Sequence, residues 1–170
     1  MNIVKQHRNR HLIFYAVLTF IFILFGTALH AAEMSGNHAK TYRFEIRKAS
    51  AEPVEGWESI SGLGGPGQTI WISTEAALTN TDVVQASVGR GFNDYPVITL
   101  LFTQDGALKF AKLTKSQIGK PVAMMIDGRV MAAPRIMEEI TGGRAIINGN
   151  FSEEEARSIA DGIMVRENSE

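Results

Sequence analysis

The chain has 170 residues, 45% of them apolar and 21% charged, with a formal net charge of −1 and no cysteine. That length suits one domain, and the composition supplies one hydrophobic core while excluding wholesale disorder. Without cysteine there is no disulfide framework and no thiol chemistry.

Lys5, Arg8 and Arg10 precede an almost wholly apolar run from Leu12 to Leu29, which exits through Ala28-Leu29-His30-Ala31-Ala32. A basic start, an apolar middle and a small-residue exit describe a secretory signal, with cleavage expected after Ala31. The run is also long enough, at about 18 residues, to stay as a single-pass anchor through residues 12–29. Either outcome puts the remainder on the outer, periplasmic side of the inner membrane, secreted or tethered. Of the 17 basic residues, the three in segment 1–31 leave with it; 14 then face 18 acidic ones, a net charge of −4. Such a domain lacks the electrostatic footprint of a nucleic-acid binder or of a polybasic membrane-surface protein.

Residues 32–40 form a polar leader. Tyr42, Phe44 and Ile46 then alternate with Arg43, Glu45 and Arg47, the period of a half-buried strand. Pro53 to Gly67 reads as a Pro- and Gly-rich loop, and Gln68 to Ser73 as a short strand. Thr79-Asn80-Thr81-Asp82 is a turn cluster. Val84, Ala86 and Val88 mark a third strand, which reverses at Gly91, Asn93 and Asp94 into the apolar run Val97–Phe102. These two are expected to pair as an antiparallel hairpin, the second of them as a central strand.

Ala107, Phe110, Ala111 and Thr114 recur at helical spacing, with Lys109, Lys112 and Lys115 around the polar side and Gly119 as a stop. Pro121 to Ile126 is apolar again. Asp127-Gly128 follows, a strong hairpin signal because both turn positions need positive φ. Gly142-Gly143 turns into a short strand, Ala145–Ile147. Ser152 stands three residues before Glu155, a capping box; Glu153, Glu154 and Glu155 favour the first helical turn, and Ala156, Ile159, Ala160 and Ile163 form one apolar stripe. The order predicts an α+β fold, a largely antiparallel sheet with two helices packed on one face.

From Phe102 onward the sequence resembles a known family. The pieces are Phe102-Thr103-Gln104-Asp105-Gly106-Ala107, Leu113-Thr114, Ile118-Gly119-Lys120 and Ala123-Met124-Met125-Ile126-Asp127-Gly128-Arg129-Val130. They continue through Ala133-Pro134-Arg135-Ile136, Ile140-Thr141-Gly142-Gly143-Arg144-Ala145 and Asn148-Gly149-Asn150-Phe151-Ser152-Glu153-Glu154-Glu155-Ala156. This succession is similar to the head subdomain of the first periplasmic domain of SecD and SecDF. The resemblance implies a head-like domain over residues 41–165, with a polar tail at 166–170. SecD-like translocon partners carry several membrane spans with an acidic proton-coupling residue. Here one apolar run holds no Asp, Glu, Lys or Arg, so the resemblance implies a free-standing head without a proton-driven motor. In the family that head is thought to contact translocating polypeptide.

Catalytic chemistry is poorly supplied, and no cofactor or metal is expected. The histidines are His7, His11 and His30 in the export segment and His38 in the leader, which leaves no placed base for a Ser-His system or a zinc site. Gly62-Leu63-Gly64-Gly65-Pro66-Gly67 matches G-x-G-x-x-G, yet Pro66 interrupts it and strand-like Ile70-Trp71-Ile72 follows where a helix is needed.

The binding candidates are Met124, Met125 and Met131 around Asp127-Gly128, with Arg129 and Arg135 as cations that could steer acidic segments. A methionine-lined groove beside an exposed strand could take extended polypeptide by strand addition. The plainer alternative is core packing for the methionines and solvated charge for the arginines. The sequence therefore predicts a non-catalytic envelope module that binds exported or unfolded polypeptide or an envelope protein. An accessory subunit docked on a membrane complex is the alternative, and a hydrolase a remote one.

Overall fold

The computed structural model describes residues 40–62 and 68–164. The export segment, the leader up to Ala39, Leu63–Gly67 of the glycine-rich stretch and the tail lie outside the described residues. Among the described residues, the chain runs β1 (Phe44–Ser50), β2 (Glu58–Ser61), β3 (Thr69–Thr79), β4 (Val83–Arg90), β5 (Pro96–Phe102), α1 (Gln104–Ser116), β6 (Val122–Ile126), β7 (Arg129–Ala132), β8 (Arg144–Asn148) and α2 (Glu153–Met164). None of the helices described is long and apolar enough to cross a membrane.

The α+β class and the antiparallel pairing hold, but the strands fall into two sheets rather than one. The five-stranded sheet has the order β2-β3-β1-β6-β7 and the three-stranded sheet β4-β5-β8. The split happens at the turn cluster. Asn80–Asp82 forms a single 3-10 turn, and Asp82, buried, fixes it from inside. Its Oδ2 accepts the Thr79 amide at 3.0 Å, its carbonyl accepts the Thr103 amide at 2.8 Å, and its Oδ1 accepts Lys109 Nζ at 2.7 Å. One residue, through its side chain and its carbonyl, thus ties the end of β3, the start of β4 and the first turns of α1. The bond from Asp82 holds the Lys109 ammonium above the usual lysine range. A raised lysine pKa adds stability below its unfolded value and loses it only as pH climbs through the folded one, so the pair stays intact across neutral pH.

Both sheets and both helices share one core. Phe44, Ile46, Leu78, Val122, Met124 and Ile126 of the larger sheet face Ile98, Leu100, Phe102, Ala145 and Ile147 of the smaller. Phe110 and Leu113 of α1 and Ala156, Ile159, Ala160 and Ile163 of α2 complete it; the stripe of α2 is the expected one, whereas in α1 Leu113 is buried in place of Ala111. Each large side chain here contributes about 1.5–3 kcal/mol by leaving water. The other face of the larger sheet carries a smaller cluster, Ala49, Ile70, Ile72, Ala123 and Met125. Glu45, expected on the solvent side, is buried beside it and paired with Arg47 at 2.8 Å, while Arg47 also donates to the Ser73 carbonyl at 3.2 Å.

Two elements differ from the sequence pattern. β2 lies inside the predicted loop; it pairs with β3 through backbone from Glu58↔Ile72 to Ser61↔Thr69 and buries little, so no periodicity marks it. β3 runs past Ser73 to Thr79, because register shifts in its pairing with β1 carry the ladder over Thr74-Glu75.

Where the chain enters the domain it is clasped to where α2 ends. Asn80 Nδ2 donates to the carbonyls of Tyr42 (2.8 Å) and Ile163 (2.9 Å), and its Oδ1 accepts the Phe44 amide at 2.8 Å. Tyr42 N donates to the Gly162 carbonyl at 3.1 Å. A Cβ on Gly162 would collide with the Lys40 carbonyl and the Tyr42 ring, so only glycine lets the chain cross the helix here. At the other end of α2 the capping box is present: Glu155 N donates to Ser152 Oγ (3.1 Å) and Ser152 N to Glu155 Oε2 (3.2 Å).

Replacing Asn80 with Ala leaves three partly buried backbone groups unpartnered and is expected to cost about 1–3 kcal/mol. Ser152→Ala is expected to cost about 1 kcal/mol. Thermal denaturation measures both; unchanged midpoints would remove the clasp and the cap from the account.

Candidate functional site

The hairpin singled out by the sequence forms as its turn residues require. Asp127 and Gly128 have φ of +49° and +77°, and Arg43 N donates to Asp127 Oδ1 at 2.9 Å, so the Asp127 carboxylate also locks the turn to the approach of β1. The methionines do not gather. Met124 is 4% exposed in the main core and Met125 is 3% exposed in the smaller cluster on the opposite face, because consecutive strand residues point opposite ways. Met131 packs, half-buried, against the main core. Arg129 is exposed; Arg135 is exposed and donates to the Gly119 carbonyl at 2.8 Å. Of the seven candidates, then, Asp127, Gly128, Arg129 and Arg135 reach the surface, and Met124 and Met125 do not. Among the described residues no three His, Asp or Glu converge to hold a metal ion.

A surface that the motif search missed lies on the three-stranded sheet. Its inner face is the core. Its outer face carries the cross-strand rows Gln85–Leu101–Arg144, Ser87–Thr99–Ile146 and Gly89–Val97–Asn148. Leu101 is 36% and Ile146 47% exposed, while Val97 in the third row is buried. The apolar run of β5 therefore has one fully buried side and one that opens to solvent from Thr99 to Leu101.

The open face ends at the β4–β5 loop. Phe92 is 92% and Tyr95 61% exposed. With Gly91, Val97, Asn148 and Asn150 they line an open cavity of about 360 Å³. The loop is held firmly. Phe92–Asp94 is a 3-10 turn with Asp94 at φ +64°, Gly91 N donates to the Tyr95 carbonyl at 2.9 Å, and Asp94 N donates to the Gly91 carbonyl at 3.2 Å. Arg90 braces it, donating to the Asp94 carbonyl at 3.2 Å and pairing with Glu153 in the first turn of α2 at 2.9 Å. An exposed aromatic pair on an internally bonded loop has less ordering entropy to lose on binding than one on an unbonded loop.

Residues 58–169, more than half of the chain, match the family described as "SecDF, P1 head subdomain". The chain belongs to that family. Among relatives of this SecDF head, the protein translocase subunit SecD of Acidaminococcus fermentans is 41% identical over 92 residues, 54% of this chain and 22% of that protein. SecDF of Thermus thermophilus is 45% identical over 83 residues, 49% of this chain and 11% of that protein. SecD of Rhodobacter capsulatus is 30% identical over 139 residues, 79% and 25%. The chain thus spans a quarter or less of the length of these relatives. A crystal structure of SecDF in a super-membrane-facing form superposes with a TM-score of 0.60 at 29% identity, over 74% of this chain and 19% of that one. A structure of SecDF, a membrane component that enhances protein export, superposes at 0.59 and 29% identity, over 74% of this chain and 63% of that one. Open face, aromatic loop and hairpin all lie inside the matched residues.

Arg90→Ala is expected to speed hydrogen exchange at the Gly91 and Asp94 amides while lowering global stability by about 1 kcal/mol or less, since the ion pairs are exposed. Unchanged exchange at those amides would show that the loop is not braced through Arg90.

Proposed function

We propose that this head is a non-catalytic binding module that contacts extended or unfolded polypeptide on the outer side of the inner membrane, through the open face of the three-stranded sheet and its aromatic loop. The export segment and the translocase relatives support that location and client class. The observation that carries the reading is the exposure of Phe92 and Tyr95 on an internally bonded loop, at the end of a sheet face that also exposes Ile146 and Leu101. Rigid aromatics at the edge of an apolar surface are what a hot spot for peptide contact consists of. Polar rows beside them, Gln85, Ser87, Thr99 and Asn148, satisfy backbone groups of a client without fixing its sequence.

Exposed Arg129 of the hairpin and Arg135 beyond its end enter this reading as a second, electrostatic contact with acidic client segments. Buried Met124 and Met125 enter it only as packing. The accessory role is the competing reading: the same surface would then take one folded envelope protein.

Fluorescence anisotropy with labelled, unfolded apolar peptides tests the reading. Micromolar binding is expected, and Phe92→Ser with Tyr95→Ser is expected to weaken it by about 2 kcal/mol, roughly thirtyfold, with little change in melting temperature. Peptides that ignore the protein, together with one stable protein partner isolated from the envelope, would decide for the accessory role.

A further inference from the structure

Arg144 stands on the outer face of β8, in the row Gln85–Leu101–Arg144, and its side chain is exposed. Across the three rows of that face every other position is uncharged: Gln85, Ser87, Gly89, Val97, Thr99, Leu101, Ile146 and Asn148. Arg47, Arg90 and Arg157 have carboxylates beside them, Arg47 with Glu45 and the other two with Glu153. Among the described residues Arg144, like Arg129 and Arg135 at the end of the other sheet, has none within ion-pair distance. A guanidinium is weakly hydrated and offers a planar fork matched to a carboxylate, and here it flanks Leu101 and Ile146, which a ligand would cover.

The tip cavity lies at the other end of the same strand. Arg144 and Asn148 are four residues apart, so the cation and the cavity are separated by roughly 13 Å at about 3.3 Å per residue. An extended ligand has the same rise. We infer that the open face selects acidic–apolar segments: an extended stretch whose carboxylate side chain meets Arg144 while an apolar side chain four residues away fills the cavity at Phe92 and Tyr95. The two anchors are side-chain contacts, so either chain direction satisfies them. This rests on the polypeptide reading above and gives it a charge preference and a spacing.

The probes are short fluorescein-labelled peptides rich in Ser and Thr, with one Asp and one Phe four residues apart in either order. Control peptides carry Asn or Lys in place of Asp, or bring Asp and Phe two residues apart. Binding to the full-length protein is expected to be about three- to fivefold tighter for the Asp peptides than for the Lys peptides at low salt, with the gap closing at high salt. Arg144→Glu, at an exposed position, should fold normally and reverse the order. Asp at the shorter spacing should bind like Asn.

Peptides that bind without regard to charge, or an order that survives Arg144→Glu, overturn the selectivity and leave the polypeptide reading standing. No peptide binding at all removes both. Capture of the protein by phosphatidylglycerol vesicles, with peptides ignored and Arg144→Glu abolishing capture, would reassign the arginine to a lipid surface and overturn the inference.

Discussion

Everything in this domain turns on a corner. Asp82 is buried where β3 ends and β4 begins, and its carboxylate and carbonyl bind the end of β3 and both the N-cap and the second turn of α1. Burying an acid is costly unless every oxygen finds a partner, and here the Thr79 amide and the Lys109 ammonium supply them. Because the corner turns the chain out of the first sheet, eight strands make two sheets with four faces. Two helices are available among the described residues, and both go into the core that the sheets share. A third face is closed by the Glu45–Arg47 pair and a small aliphatic cluster. The fourth, on β4, β5 and β8, has no further element to cover it among the described residues.

That uncovered face is also well placed. The chain enters at Tyr42, clasped by Asn80 and the end of α2, close to where β4 begins. The aromatic loop is at the other end of β4, eight residues and roughly 26 Å away at about 3.3 Å per residue. α2 runs between the two ends, tied to Arg90 at its start and to Tyr42 at its finish. A contact at Phe92 is thus made at the end of the domain far from its N-terminal connection, by a loop braced against a helix. For a family whose relatives are protein translocase subunits, an apolar tip at the end of the domain far from Tyr42 suits brief, sequence-tolerant contacts better than a closed pocket would.

Local chemistry was legible in the sequence. Ser152 and Glu155 cap each other within three residues, Asp127-Gly128 can do little else than turn, and the β4–β5 hairpin follows from two apolar stretches around Gly91 and Asp94. The family resemblance was legible from the ordered set of short pieces between Phe102 and Ala156. What was not legible depended on distant partners. Glu45 alternates like a surface residue and is buried beside Arg47, which is itself held by the Ser73 carbonyl. Asp82 looks like one member of a polar turn, and its partner Lys109 comes 27 residues later. β2 has no pattern because its edge position asks for none. Met124 and Met125 looked like a cluster because adjacency in sequence conceals that a strand sends neighbours to opposite faces. The run Val97–Phe102 says that β5 is apolar and not which of its faces is covered, and Phe92 and Tyr95 belong to no period at all.

The central claim is that the open face of the three-stranded sheet is where this domain meets its partner. Titrating the isotope-labelled protein with an extended apolar peptide, and following the backbone amide resonances, tests it most directly. The account predicts shifts confined to residues 91–97, Leu101 and Arg144–Asn148. Shifts confined to the β6–β7 hairpin or to α1, with the three-stranded sheet silent at saturating peptide, would contradict it.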